Sequence, residues 1–392
     1  MTPTTPSTET VTFSETTAPL ASVIVLAWRL STELIDCLRA LSESVDAPSF
    51  EVLVVLNGAT DAARASVRDH VRGARIIDLD YNVGFGGGCN AAAIQARGDY
   101  LVLLNDDALV SPDWLAELVS SAQAAGEGTA AIASLLLNTD GTVQEAGCRV
   151  LGHAGTVQFG RGLTLAEAQN EGLLTDRPID YGSGAALLIR RDAFTKVGGF
   201  DKIYEPAYYE DVDLCFRLRA AGYEVSIHPA AVVTHASGAS TSTDSRFRSF
   251  AADRAGSRFY ARWVDTLAQA PRAEAPLDEL CDPTLSGVIA DAPSAVRNPE
   301  PSAPVALEIS RAYADTLVGQ LSITEERLLV EQKLREADQS YIESLKTDAS
   351  HLRNRLDRLE RGGPLVLLRW RIGILRRRFV LRRELGSLRH RE

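Results

Sequence analysis

Two adjacent carboxylates, Asp106 and Asp107, follow Asn105 at the end of the apolar run Tyr100-Leu101-Val102-Leu103-Leu104. Such a run, bounded by turn residues, reads as a buried strand of a parallel sheet, and the carboxyl ends of those strands are where open α/β sheets bind ligands. Neighbouring acids repel unless protonation or a cation relieves them. A divalent metal held against a substrate phosphate would give that relief, and a solvated Asp turn is the structural alternative. Two other segments carry potential chemistry. Upstream, Asn82-Val83-Gly84-Phe85-Gly86-Gly87-Gly88-Cys89-Asn90 is a glycine-rich turn opening a helix to about Arg97. Downstream, Tyr208-Tyr209-Glu210-Asp211-Val212-Asp213-Leu214 places acids at a helix start, followed later by Val232 to His235.

The elements that must position these residues alternate. Val23 to Ala27, Glu51 to Leu56 and Arg75 to Leu79 read as strands. Helical stretches begin at Thr32 and span Ala62 to Val71, and the glycine turn then feeds a third helix into the Asp106-Asp107 strand. Strands alternating with helices predict a parallel, doubly wound α/β sheet. Residues 130–205 are less regular, with Gly184 to Arg190 as a further buried strand and Gly198-Gly199 as a turn. Glu210 to Ala221 has apolar residues at helical spacing, and Gly222 stops it. The glycine turn lacks the P-loop GK[ST] and follows the third strand, so neither a P-loop nor the dinucleotide fingerprint fits. Its glycines either turn a strand tightly into a helix or let a nucleotide approach bare backbone.

Taken in order, the glycine turn, Asn105-Asp106-Asp107, the Tyr208 to Leu214 segment and His235 resemble the inverting glycosyltransferase family 2, over about residues 20–265. The likeness is greatest to members adding rhamnose or galactofuranose in cell-surface polysaccharide assembly. The resemblance implies the GT-A fold, a nucleotide-sugar donor linked to UDP or dTDP, and a glycan or lipid-linked glycan acceptor. It implies that Asp106 contacts the donor, that Asp107 binds Mg2+ or Mn2+, and that His235 completes the metal or diphosphate contacts. Asp211 would be the general base that takes the acceptor proton, with Glu210 orienting the acceptor. Asp213 reads as structural. Gly84, Gly86 and Asn90 would line the donor site. The sequence departs from the family at the second strand, where Leu56 replaces the usual Asp; Asn57 would supply an amide to the base instead. The first strand ends in Leu26-Ala27-Trp28-Arg29, so Trp28 would stack on the base and Arg29 would pair with phosphate. A catalytically decayed scaffold is the rival from another class.

Five scattered cysteines without a CxxC pair exclude a disulfide framework and a zinc site, and point to a reduced, cytosolic setting. Residues 1–19 read as a disordered tail, not a signal peptide, and no apolar run reaches the roughly 18 residues that cross a bilayer. The net charge is −11, yet residues 362–392 hold nine Arg against Glu384 and Glu392, so they carry about +7 and the remainder about −18. An acidic body disfavours nucleic acid as the main ligand. The basic tail is amphipathic and is expected to bind anionic membranes peripherally at the inner face of the cell membrane, with a partner helix or RNA as rivals. Between the two, residues 266–304 are rich in Pro, Ala and Asp and read as a linker, and 305–361 as a helical region. There Ile342, Leu345, Ala349, Leu352, Leu356 and Leu359 form a coiled-coil seam that implies a homo-oligomer. Glu331, Arg335 and Asp338 interrupt that seam upstream, and a helical hairpin is the alternative.

Overall fold

A computed structural model describes residues 10–28, 32–236, 245–272, 274–280, 282, 289 and 346–353. The chain divides into two units, residues 1–301 and 302–392. In the second, residues 346–353 are helical. The rest of the seam and the basic tail lie outside the described residues, as does Arg29.

In the first unit the chain runs β1 (Val11–Thr12), β2 (Ala21–Ala27), α1 (Thr32–Ser42), β3 (Phe50–Asn57), α2 (Asp61–His70), β4 (Val71–Arg72), β5 (Arg75–Leu79), α3 (Phe85–Gln95) and β6 (Tyr100–Asn105). It continues through β7 (Ala108–Val110), α4 (Trp114–Ala125), β8 (Thr129–Leu137), β9 (Val143–Glu145), β10 (Cys148–Val150), β11 (Thr156–Gln158), α5 (Leu165–Asn170), β12 (Arg177–Pro178) and β13 (Ala186–Arg190). The last described elements are α6 (Arg191–Lys196), α7 (Glu210–Ala220), β14 (Glu224–His235), α8 (Ser245–Leu267) and α9 (Leu277–Leu280).

The sheet is a correction to the doubly wound parallel expectation. Its strand order is β12-β14-β8-β13-β6-β2-β3-β5, with β7 on β14 and β9 on β8. The half β6-β2-β3-β5 is parallel, as the alternating pattern requires. Beyond it β13 runs antiparallel to both β6 and β8, while β8 and β14 are parallel to each other. The continuous apolar runs of β2, β3, β6 and β8 are buried on both faces, so their sequences cannot announce strand direction.

Two other expectations are corrected. Residues 11–13 are not a disordered tail: β1 pairs with β4, Phe13 N–H donates to Arg72 O at 3.0 Å, and the Phe13 ring meets Phe50 edge-on. Nor are residues 270–282 a free linker. Gly152 N–H donates to Pro271 O at 2.9 Å, the buried Arg149 guanidinium donates to the Leu280 and Asp282 carbonyls, and Leu280 is buried.

Candidate active site

Strand register brings the site together. Asn105 ends β6, and Asp106-Asp107 lead into β7, which pairs antiparallel with the end of β14 so that Ala108 faces His235. Ala236 N–H then donates to Asp107 O at 3.2 Å. This pairing lays the His235 imidazole over Asp107, 3.1 Å from its Oδ1, although the two are 128 positions apart in the chain. On the other side of β6, Ala185 O accepts from Asn105 N–H at 2.9 Å, which places the start of β13 at the same sheet edge. The preceding Gly184 N–H donates to Asp211 Oδ2 at 3.0 Å. Asp107, His235 and Asp211, widely spaced in sequence, therefore share one edge of the sheet.

Asp106 and Asp107 are almost fully buried side by side. Asp106 accepts the Trp28 backbone N–H, which joins the end of β2 to the site. Burial, and then the Asp107 charge, push the Asp106 carboxyl up to about 7. Among the described residues Asp106 Oδ2 and Asp107 Oδ1 have no hydrogen-bond partner, a costly state for buried oxygens. The His235 ring explains what faces one of them. Its Nδ1 lies 2.7 Å from Gln144 Oε1, and Gln144 Nε2 donates to His235 O and to Asn138 Oδ1. An amide nitrogen committed to two carbonyls leaves Oε1 as the acceptor, so the neutral ring carries its proton on Nδ1. Nε2 is then an acceptor: it takes the Asn105 Nδ2 amide at 3.2 Å and lies 3.1 Å from Asp107 Oδ1. Two acceptors juxtaposed in a buried site suit a shared cation. A neutral imidazole and a carboxylate are donors that would suit Mn2+ or Mg2+. Among the described residues no group of three or more His, Cys, Asp or Glu is assembled for a metal, so a ligand phosphate would have to complete the shell.

Asp211 is held on a strained entry. Tyr208 and Tyr209 have φ of 78° and 64°, unusual for non-glycine residues, and the Tyr209 hydroxyl donates to Ala154 O at 2.8 Å. The Asp211 carboxylate accepts Gly184 N–H and its neighbour's Val212 N–H, and burial still holds its pKa above the ordinary range. Glu210 is buried, its Oε2 has no hydrogen-bond partner among the described residues, and burial followed by the Asp211 charge pushes its carboxyl well above the usual range. Asp213 accepts from Arg217, Arg262, Trp263 Nε1 and the Tyr204 hydroxyl and is structural, as expected.

The glycine-rich turn has a packing explanation. Gly84 caps α3 at φ 83°, and a Cβ there would lie 2.7 Å from Pro206 O. One on Gly86 would meet the Phe200 side chain at 2.8 Å. Asn90 clamps the Phe200 backbone through both N–H and C=O. Asn57 is 2 % exposed, accepts Val83 N–H and donates to Gly84 O, so its amide holds the turn and is not free for a base. These four residues shape the floor beside β3, and the space their small or polar side chains leave is filled by protein. Leu56 is core.

Sequence reading missed Gln144 and Glu145. Glu145 Oε1 accepts Ser183 N–H, the residue before Gly184, and burial raises its carboxyl to about 7. The signal available was Asp140-Gly141, a hairpin-turn dipeptide between apolar runs. In the structure Gly141 sits at φ 84° and turns β8 back into β9.

Residues 22–198 match the family model described as Glycosyl transferase family 2. The match includes Asp106 and Asp107 and ends before Asp211 and His235. The chain is similar to the O-antigen biosynthesis protein RfbC of Myxococcus xanthus, 33% identical over 229 residues that make up 53% of this chain and 17% of that protein. It is also similar to an N-acetylglucosaminyl-diphospho-decaprenol L-rhamnosyltransferase of Mycobacterium tuberculosis, 28% identical over 57% of this chain and 78% of the relative. The chain spans a quarter or less of the length of the first curated relatives it matches. Among solved structures, the mannosyltransferase PcManGT from Pyrobaculum calidifontis, in complex with GDP-Man and Mn2+, is 18% identical at a TM-score of 0.46, covering 85% of this chain and 87% of that one.

Proposed function

We propose that this chain transfers a sugar, with inversion, from a UDP- or dTDP-linked donor to a hydroxyl of a glycan or lipid-linked glycan in cell-envelope polysaccharide synthesis. The observation that supports the reading most is the buried Asp107 Oδ1, without a hydrogen bond among the described residues, lying 3.1 Å from His235 Nε2 on the sheet edge that also holds Asp211. Asp107 and His235 would hold Mn2+ or Mg2+, which when bound supplies positive charge to a leaving diphosphate. Asp106, tied to the Trp28 backbone, would meet the donor's sugar or ribose. Asp211 takes the acceptor proton as the hydroxyl attacks the anomeric carbon from the face opposite the diphosphate. Two backbone N–H groups aim its carboxylate, and its burial-raised pKa makes it a stronger base than an exposed Asp. The basic segment 362–392 would bring the enzyme to an anionic membrane carrying the acceptor.

The relatives' printed functions in O-antigen biosynthesis and rhamnosyl transfer support the polysaccharide setting. A second reading, a decayed scaffold, is favoured by one observation: Asn57 and Leu56, at the position of the usual base contact, are spent on packing. Screening the purified protein for metal-dependent hydrolysis of a panel of UDP- and dTDP-sugars separates the two. Turnover of at least one donor, lost on chelation, is expected; no turnover and no nucleotide binding would favour the scaffold.

A further inference from the structure

The short strand β9 stands between the two halves of the proposed site. It pairs with β8 so that Glu145 faces Leu136 and Val143 faces Leu137, leaving Gln144 as the extra residue of a bulge. In a regular strand successive side chains point to opposite faces, whereas a bulge re-aims them. All three residues of β9 are buried. Gln144 reaches His235 on one side with both ends of its amide, and Glu145 reaches Ser183 N–H on the other. The adjoining Gly184 N–H is the one that donates to Asp211.

We propose that Gln144 is a positioning residue. Its Oε1 holds the proton of His235 on Nδ1, so Nε2 is kept as an acceptor beside Asp107 and the Asn105 amide, while the neighbouring Glu145 fixes the corner that aims Asp211. The bulge thus sets both halves of the site from a single strand. The amide is suited to this task because its nitrogen is anchored independently, by the His235 and Asn138 oxygens, and cannot rotate to offer a donor to Nδ1 without losing both bonds. The inference builds on the metal reading of Asp107 and His235, but its first readout needs no metal.

The test uses the full chain without metal, at a pH where imidazole is neutral. Two-bond 1H–15N correlation spectra report which ring nitrogen carries the proton. The His235 signals are identified among the six histidines by their loss in His235→Asn. Wild type should show the Nδ1–H form, and Gln144→Glu, which keeps an acceptor, should retain it. Gln144→Leu should shift His235 toward the Nε2–H form. In the presence of UDP, Mn2+ affinity read by electron paramagnetic resonance should fall about 10–100-fold in Gln144→Leu, the usual effect of losing an outer partner of a metal ligand, and be largely kept in Gln144→Glu. An Nε2–H ring in wild type would overturn the proposal without any variant having to fold. An unchanged ring and unchanged Mn2+ affinity in Gln144→Leu would overturn it as well. Should wild type bind no Mn2+ even with UDP, the metal reading falls, and the ring spectrum still decides the role of Gln144.

Discussion

Asp213 and the Asp106-Asp107 pair are both buried acids in the first unit, and their surroundings are opposite. Asp213 is completely enclosed, yet both of its oxygens are bonded: Arg217 Nε at 2.6 Å, Arg262 Nη1 at 2.9 and 3.0 Å, Trp263 Nε1 and the Tyr204 hydroxyl at 3.0 Å. Those partners hold its pKa below the ordinary range despite burial. Asp106 and Asp107 lie nearly as deep; among the described residues no guanidinium pairs with them, each has an oxygen without a hydrogen bond, and Asp106 is driven up to about 7. On the proposed reading, the contrast separates an acid that holds the fold together from a pair that would meet the donor and its cation. Asp211 lies between these extremes, aimed by two N–H groups but facing no cation in the described structure.

Three changes should break or sharpen that contrast. The largest is expected at Asp211. Asp211→Asn keeps the size and an acceptor oxygen but removes the base, so turnover should fall about 10²–10⁴-fold while thermal stability and donor affinity hold. Steady-state kinetics with a soluble acceptor analogue checks it, and the wild-type rate should fall at acid pH above the usual carboxylate range, because burial raises this pKa. Next, Asp213→Ala strands Arg217 and Arg262 without their shared carboxylate. Loss of one partner of a buried pair costs about 3–5 kcal/mol, so urea unfolding should move to a much lower midpoint, if the protein folds at all. Asp107→Asn should behave oppositely, leaving stability within about 1 kcal/mol of wild type, since it removes repulsion and no hydrogen bond, while Asp106 titrates lower in carboxyl NMR.

The smallest effects concern Glu51, at the start of β3, and His228. Glu51 accepts from Ser22, Arg75 and Arg97 and is lowered to about 2. A depressed folded-state pKa adds stability above the unfolded value near 4.5 and loses it as pH falls toward 2. His228 runs the other way. Clasped by Asp176 and Glu117, its pKa is raised, so its contribution is full below about 6.5 and lost as pH rises through the higher folded value. Urea midpoints across pH for Glu51→Gln and His228→Asn should therefore diverge from wild type only at neutral and acidic pH respectively for the lost stabilisation: Glu51→Gln above about 4.5, His228→Asn below about 6.5.

The parallel half of the sheet and the strand-end acids were legible because their signals are local. An apolar run ending in Asn105-Asp106-Asp107 says both strand and edge, and Glu210 to Ala220 carries its helical spacing openly. The antiparallel turn of β13 was hidden, since a strand buried on both faces reads alike in either direction. Roles within the site were harder. Asn57, Gly86 and Asn90 are of types that contact nucleotides, and only the contacts with Val83, Phe200 and Gly84 show them occupied by the protein itself. Gln144 escaped because its task depends on a bulge and on a histidine that β14 delivers from far along the chain.

The central claim is that Asp107 and His235 form a metal-dependent diphosphate site. Isothermal titration of the full chain with UDP and with dTDP, each with and without Mn2+, tests it most directly. At least one nucleotide should bind with Mn2+ and bind far more weakly without it, and Asp107→Asn should abolish the Mn2+-dependent heat in a protein that still melts normally. Equal nucleotide binding with and without the metal, or full Mn2+-dependent binding by Asp107→Asn, would contradict the account.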